Sequence, residues 1–204
     1  MNKIVKRSIL FVLILFVVLF LSFKLSPYPS VWIIRYGFNK EANRVNKELA
    51  NVITSPEYAS ITRINPGLNH GQLKGLILYC GIYEVHNLKT EGSFGSFLKT
   101  VMWSYFGVKD ITNDQYAKTA SITNHLTNSF PPSFISAGNQ DPLLEQSKIL
   151  SSKLIARDVY VDTFFFPGNY TPALEHEYQF TMDKSGKEAL ERSLIFLNKM
   201  KSSQ

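Results

Sequence analysis

The sequence predicts an α/β fold in which a parallel sheet is flanked by helices and preceded by an N-terminal transmembrane helix. The first observation behind this prediction is an uncharged apolar run close to the amino terminus. The second is a set of three short apolar segments bounded by turn residues, as in strands buried on both faces of a sheet. The third is that helical patterns alternate with these strands, which favours parallel strands joined by right-handed crossovers.

The apolar run extends from Ser8 to Phe23 and follows a basic start, MNKIVKR. As a helix it covers about 24 Å, and neighbouring apolar residues extend it toward the ~30 Å of a bilayer core. A cleaved signal peptide is the alternative, but its apolar region is shorter and ends at a small-residue site, whereas SFKLSPYPS follows here. We therefore expect residues 1–25 to be an uncleaved signal anchor, with the basic start cytoplasmic and the body extracytoplasmic.

The positive charge of the chain is concentrated near its amino terminus. Residues 1–47 hold eight of the 22 Lys and Arg residues and one of the 16 acidic residues, which leaves 14 basic and 15 acidic residues in the remainder. A body without a basic excess is not typical of a nucleic-acid-binding protein. The sequence contains no glycine-rich phosphate loop and no metal-ligand spacing such as H-E-x-x-H, so no cofactor is expected.

The rest of the chain is divided by its periodicity. Residues 26–70 are expected to form a helical stalk and junction, since apolar residues recur at helical spacing as far as Val52, before a Pro/Gly/Ser/Asn-rich break. Residues 71–204 are expected to form the α/β domain. Its predicted strands lie in LKGLILYCG, PPSFISAG and VYVDTFFFP, and its predicted helices lie in SFLKTVMWSYFG, in PLLEQSKILSSKLIARD and from Ser185 onward.

Two details of these elements can be predicted. Pro142 is expected at an early position of the helix in PLLEQSKILSSKLIARD. The final helix is expected to open with a capping box at Ser185 and Glu188 and to carry its apolar stripe on leucines spaced i, i+4, i+7. These leucines are Leu190, Leu194 and Leu197. The single cysteine, Cys80, lies in an apolar strand-like run and is expected to fill the core.

Two residues that can act in catalysis follow the second and third predicted strands. Asp141 lies in FISAGNQDPLLEQS and His176 lies in TPALEHEYQF. Because functional loops of parallel sheets gather at the carboxyl ends of the strands, both residues fall on the same edge. An acid placed there can fix the tautomer of an imidazole that takes a proton from a serine. The alternative is that Asp141 only caps the next helix and His176 is an ordinary loop residue.

Both segments resemble parts of a known family. PPSFISAGNQDPLLEQSKILSSKL and VDTFFFPGNYTPALEHEYQF resemble the acid and histidine segments of α/β-hydrolase-fold esterases and lipases, in particular the bacterial acetyl-esterase and hormone-sensitive-lipase-like group. GLILYCGIYEV resembles the strand and turn before the acid strand. The resemblance covers residues 71–204. It implies a partial α/β-hydrolase fold and a bacterial origin. It maps the catalytic acid onto Asp141 and the histidine onto His176, and it implies small esters as substrates of intact relatives.

The nucleophile of that family is not found in the sequence, which has neither a G-x-S-x-G nor an H-G-G-G motif. EGSFG comes within one residue of the first motif, but it follows the polar segment VHNLKT, so Ser93 is expected to be a loop or cap serine. ELANVITSPEYASI resembles the end of the helix after the nucleophile, and PSVWIIRYGFNKEANRVNK resembles the segment before the first strand. We interpret their junction near Asn46–Leu49 as an internal deletion.

The sequence thus predicts a membrane-anchored relative of carboxylic ester hydrolases that is inactive or nearly so, because it lacks both nucleophile and oxyanion donors. Two alternatives remain open. One is a hydrolase with an unconventional serine, Ser93 or Ser136. The other is a non-catalytic, membrane-anchored binding or scaffold protein, for which the exposed edge of an interrupted sheet favours self-association.

Overall fold

The structure, a computed structural model, describes residues 3–38, 53–63, 67–68 and 71–202. The predicted helical continuation through 39–52, and with it the junction at Asn46–Leu49, lies outside the described residues. The chain divides into two compact units. The first comprises 1–44 and 89–114, and the second comprises 45–88 and 115–204.

The helices and strands alternate along most of the chain. In order they are α1 (Lys3–Leu25), α2 (Tyr28–Phe38), α3 (Pro56–Thr62), β1 (Leu76–Tyr79), α4 (Gly92–Phe106), α5 (Gln115–Ala120), β2 (Ser133–Ala137), α6 (Leu144–Ile155), β3 (Val161–Phe165) and α7 (Lys184–Ser202). Short 3-10 turns lie at Val85–Asn87, Ile122–Asn124 and Tyr178–Phe180.

The described part of the first unit consists of helices joined by turns and irregular segments. Within α1, Val5–Leu25 is long and apolar enough to cross a membrane, and none of it is buried in the protein. Its 21 residues cover about 31 Å as a helix, close to the thickness of a bilayer core. α2 packs against α4. α4 ends at Gly107, whose φ of 74° lets its N–H donate to the Trp103 carbonyl at 2.9 Å.

The second unit is built on a three-stranded parallel sheet in the order β1-β2-β3. Leu78 of β1 pairs with Ile135 of β2, and Ile135 pairs with Thr163 of β3. All five residues of the central strand β2 are buried. The predicted parallel sheet is confirmed, and its register brings the carboxyl ends of the three strands to one edge.

Helices cover both faces of the sheet, because successive residues of β2 point to opposite sides. Ile135 joins a core cluster with Leu150 and Leu154 of α6 on one side. Phe134 joins a second cluster with Ala189 and Phe196 of α7 on the other. Each fully buried side chain of this size contributes roughly 1.5–3 kcal/mol. The two faces together explain why the strands read as continuous apolar runs rather than alternating ones.

The starts of α6 and α7 differ from the prediction. α6 begins at Leu144, and Pro142 lies in the turn before it. In α7 the predicted capping box is wrong, since the cap is Asp183, whose Oδ1 accepts from the Gly186 N–H at 2.8 Å. Ser185 is inside the helix instead, and its hydroxyl contacts the Tyr170 hydroxyl at 3.1 Å.

The buried face of α7 also differs from the prediction. The predicted apolar stripe is largely exposed, with Leu190 at 42%, Leu194 at 50% and Leu197 at 41%. The buried face instead carries small residues and one aromatic ring: Ser185, Gly186, Ala189, Ser193 and Phe196. Small side chains let the helix backbone approach the sheet closely, and the phenyl ring then fills the remaining space.

We expect Phe196→Ala to lower the free energy of unfolding by about 3–5 kcal/mol, because it empties the centre of one core cluster. Leu194→Ala, on the exposed side of the same helix, is the matched control and should change it by less than about 1 kcal/mol. Chemical denaturation monitored by circular dichroism measures both. Equal decreases in the free energy of unfolding, or a larger decrease for Leu194→Ala, would show that the face predicted from the leucine spacing is the buried one.

Candidate active site

The acid lies in a tight turn between β2 and α6. The Asp141 N–H donates to the Gly138 carbonyl at 3.2 Å, and its own carbonyl accepts from the Leu144 N–H at 3.0 Å. Its carboxylate Oδ1 accepts from the Leu143 N–H at 2.7 Å. This contact is an Asx-type turn just before α6, whose N-cap is Leu143 without a side-chain hydrogen bond, so the alternative interpretation that Asp141 caps the helix is wrong. The side chain of Asp141 is completely buried.

The same carboxylate also contacts the histidine. Nδ1 of His176 lies 3.1 Å from Oδ1 and 3.2 Å from Oδ2 of Asp141, although the two residues are 35 positions apart. The His176 side chain is 32% exposed, so the pair joins a buried acid to a partly solvated imidazole. An Nδ1–H that donates to a carboxylate fixes the tautomer and leaves Nε2 as the nitrogen that can exchange a proton with a substrate or nucleophile.

A buried asparagine fastens the histidine loop to the acid loop. Nδ2 of Asn139 donates to the carbonyls of Gly168 at 3.3 Å and Tyr170 at 3.1 Å. Its Oδ1 accepts from the Leu174 N–H at 2.9 Å. A backbone bond from the Gln140 N–H to the Leu174 carbonyl, at 3.0 Å, adds a fourth connection. These contacts hold the backbone on both sides of the acid–histidine pair.

Gly138 makes this close approach sterically possible. A Cβ at this position would overlap the carbonyl oxygen of Leu174 and lie 2.7 Å from that of Glu175. Those atoms are backbone and cannot rotate away. The sequence interpretation used Asp141 and His176 but missed Gly138 and Asn139, because a Gly-Asn pair after a strand reads only as turn chemistry.

Cys80 lies next to the pair and was also missed as a neighbour of it. It follows β1 with a φ of 49°. Its Sγ lies within 4.8 Å of a carboxylate oxygen of Asp141 and of a ring nitrogen of His176. Gln179 Oε1 is 3.2 Å from the sulfur. Burial, together with the nearby Asp141 carboxylate, raises the pKa of the Cys80 thiol to about 12. The protonated thiol is a hydrogen-bond donor beside the acid and not an activated nucleophile.

The sulfur, oxygen and nitrogen atoms of Cys80, Asp141 and His176 form the one group among the described residues that is compact enough to hold a metal ion. Metal ligation by Cys80 would require its thiolate, and ligation by the other two residues would compete with the contact between them. The Asp141 carboxylate and the His176 imidazole already form a hydrogen bond with each other. The geometry thus favours a hydrogen-bonded acid–histidine pair over a metal centre.

The electrostatics of the pair are reciprocal. Burial alone would raise the pKa of Asp141, but hydrogen bonds from His176, Cys80 and the Leu143 N–H outweigh it and hold that pKa below its usual value. The hydrogen bond to Asp141 raises the pKa of His176 and outweighs the opposing effect of burial. The pair thus stabilises the charged form of each partner.

These shifts imply opposite pH dependences for the two groups. The raised pKa of His176 contributes stability in full below the unfolded-state value, and this contribution is lost as pH rises through the folded-state pKa. The lowered pKa of Asp141 contributes stability above its unfolded-state value, and this is lost as pH falls through the folded-state pKa.

The two serines considered as unconventional nucleophiles, Ser136 and Ser93, lie in different surroundings. Ser136 is inside β2, fully buried, and its hydroxyl contacts the Tyr178 hydroxyl at 2.8 Å. Ser93 lies near the start of α4, and its side chain is outside the described part of the structure. No strand precedes α4 directly, since residues 88–91 are irregular. Neither position has the strand-to-helix turn of a nucleophile elbow.

Solved structures of bacterial esterases share the fold. Esterase B from Lactobacillus rhamnosis matches with a TM-score of 0.54 and 19% identity over 76% of this chain and 49% of that one. An inhibited form of esterase B from the same organism gives a TM-score of 0.58 at 18% identity, with the same coverages. The carboxylesterase Cest-2923 from Lactobacillus plantarum gives 0.50 at 14% identity, over 76% of this chain and 52% of that one.

Neither a protein-family sequence model nor a curated protein sequence matches the chain. The chain spans about half the length of the esterase structures that it matches. The structural likeness confirms the α/β-hydrolase fold that the sequence resemblance implied. At these identities the likeness concerns the fold.

We expect Gly138→Ala to lower the free energy of unfolding by roughly 1–3 kcal/mol, because the added methyl group must push the Leu174 backbone away. Gly168→Ala is the matched control, since its Cβ would meet open space and its φ is not in the left-handed region. Thermal and urea unfolding compare the two variants with the parent. Indistinguishable stabilities would show that the loops do not meet at Gly138.

We expect Asp141→Asn to lower the pKa of His176, because the neutral amide no longer stabilises the imidazolium. The pKa is read from the pH dependence of the His176 Cε1–H resonance in NMR spectra. Asp158→Asn, which removes a carboxylate elsewhere, is the control and should leave that titration unchanged. A His176 titration that is the same in all three proteins would contradict the hydrogen bond.

Proposed function

We propose that this chain is a membrane-anchored protein of the esterase type in which Asp141 and His176 correspond to the acid and histidine of a catalytic relay. The hydrogen bond from His176 Nδ1 to the Asp141 carboxylate, at 3.1 Å, is the observation that carries the proposal. Both side chains come from loops at the carboxyl edge of a parallel sheet. The neighbouring structures are named esterase and carboxylesterase, which supports carboxylic esters as the substrate class.

In a complete relay these residues would divide the proton chemistry between them. Asp141 would stabilise the positive charge that forms on the imidazole and keep Nδ1 protonated. Nε2 of His176 would remove a proton from a serine hydroxyl and then deliver it to the departing alcohol. The partial exposure of His176 and the full burial of Asp141 suit this division, since only the imidazole has to meet a substrate.

The chain itself supplies no serine at the expected place. It has no G-x-S-x-G motif and no glycine run for oxyanion donors. Ser136 is a buried residue of β2, and its hydroxyl is hydrogen-bonded to the Tyr178 hydroxyl. Cys80, with its thiol pKa of about 12, does not replace a serine. We therefore propose that the chain as given has no acyl-enzyme chemistry, consistent with an internal deletion near Asn46–Leu49.

The amino-terminal helix supports the anchoring part of the proposal. Val5–Leu25 is apolar, exposed and long enough for a bilayer, and Lys3, Lys6 and Arg7 precede or begin its apolar stretch. Their charge favours a cytoplasmic amino terminus and an extracytoplasmic body in a bacterial membrane. Lys24, at the opposite end of α1, can extend its ammonium group to the lipid–water interface.

A non-catalytic scaffold function is the second candidate, and the position of β1 favours it. β1 is an edge strand of the described sheet, and Ile77 within it is 37% exposed. Its outward-facing backbone groups can pair with a second copy of the chain, as unprotected edges do. In that case the protein would self-associate through β1, and a partner rather than a substrate would define its activity.

We expect the purified full chain to hydrolyse p-nitrophenyl acetate no faster than its His176→Ala variant, because the sequence has no nucleophile elbow and the Cys80 thiol beside the pair is protonated. A fluorophosphonate probe should give no covalent adduct in the intact mass spectrum. Catalytic turnover lost in His176→Ala would overturn the inactive assignment. Probe labelling lost in Ser136→Ala or Ser93→Ala would instead identify an unconventional nucleophile.

A further inference from the structure

A cleft of about 420 Å³ lies in the first unit beside the carboxyl-terminal end of α1. Residues of α1, α2 and α4 and the segment after α4 form its walls. The lining residues are Phe20, Phe23, Lys24, Ser30, Lys99, Thr100, Trp103 and Lys109. Neither the acid–histidine pair nor any other part of the proposed hydrolase chemistry uses this cleft.

The cleft is positively charged and has an aromatic wall. Lys24, Lys99 and Lys109 line it, and none of the described residues that line it is acidic. None of the three lysines forms an ion pair within the described ranges. Three like charges in one cleft repel each other unless an anion lies among them. The site is therefore matched to a ligand with negative charge.

Two contacts hold part of this charge in place. Nζ of Lys109 donates to the Lys24 carbonyl, in the last turn of α1, at 3.1 Å. The same ammonium lies 4.6 Å from the centre of the Trp103 ring. A cation held by a helix carbonyl and an aromatic face is positioned before a ligand arrives, which lowers the entropic cost of binding.

The position of the cleft along α1 indicates where its ligand would be. The apolar span ends at Leu25, so Lys24 lies at the level where a bilayer changes from acyl chains to phosphates. Beyond it, α2 exposes an aromatic ring at every fourth position, with Tyr28 at 74%, Trp32 at 78% and Tyr36 at 90%. Exposed Trp and Tyr side chains are typical of the membrane interface.

We propose that this cleft binds the headgroup of an anionic phospholipid from the membrane in which α1 is anchored. The lysines would contact the negatively charged phosphate, and Ser30 and Thr100 add polar residues to the wall. The acyl chains would follow the phenyl rings of Phe20 and Phe23 along α1. This inference rests on the proposed membrane anchoring and is independent of esterase chemistry.

The test is native mass spectrometry of the full chain in detergent with phosphatidylglycerol or phosphatidylcholine. We expect one phosphatidylglycerol to be retained, and retention to fall by at least about tenfold in the triple variant Lys24→Gln, Lys99→Gln, Lys109→Gln. The triple variant Lys118→Gln, Lys187→Gln, Lys201→Gln removes the same charge elsewhere and should retain the lipid. Equal loss in both variants, or equal retention of both lipids, would contradict the site.

Two further experiments distinguish a lipid site from a site for free phosphate and from a chain that is not anchored. An excess of inorganic phosphate should leave the phosphatidylglycerol bound, because phosphate cannot replace the contacts of the acyl chains. Displacement would show a site for free phosphate and overturn the lipid assignment.

Flotation with vesicles of phosphatidylcholine alone tests the anchor separately. A chain that floats but does not select the anionic lipid refutes the cleft alone, whereas a chain that does not float refutes the anchor and with it this inference.

Discussion

The side chain of Asn139 is the connection on which the candidate site depends. It contacts backbone groups of three residues in the histidine loop, Gly168, Tyr170 and Leu174, and it precedes the acid by two positions. Gly138 allows the contact, because any larger side chain there would meet the Leu174 carbonyl. The sheet brings the two loops to one edge, and these contacts join the loops beside the acid and the histidine.

The acid–histidine pair is therefore held without help from a nucleophile. Asp141 is fixed by the turn before α6, where its carboxylate accepts from the Leu143 N–H, and the same carboxylate orients the imidazole of His176. The Cys80 thiol also contacts this carboxylate, and Gln179 in turn contacts Cys80. The groups that position the pair lie in residues 80–179, so the hydrogen bond between Asp141 and His176 does not depend on a serine elbow.

The sequence predicted the strands, the shared edge and the pair, because these follow from apolar runs and from the topology of parallel sheets. It did not predict Asn139 or Cys80 as neighbours of the pair, because contacts between segments 35 or more residues apart leave no local pattern. It misplaced the buried face of α7, where leucine spacing suggested one stripe and Ala189, Ser193 and Phe196 form another. Small residues that permit close packing were less conspicuous than leucines.

Amide hydrogen exchange at Leu174 and Gln140 tests the central claim most directly. Both N–H groups donate across the two loops, to Asn139 Oδ1 and to the Leu174 carbonyl. If these contacts hold the site together, both amides should exchange far more slowly than in the unfolded chain, and Asn139→Ala should remove the protection of Leu174. Exchange at the unfolded-chain rate in the parent protein would show that the loops are not joined and that the acid–histidine pair is not preformed.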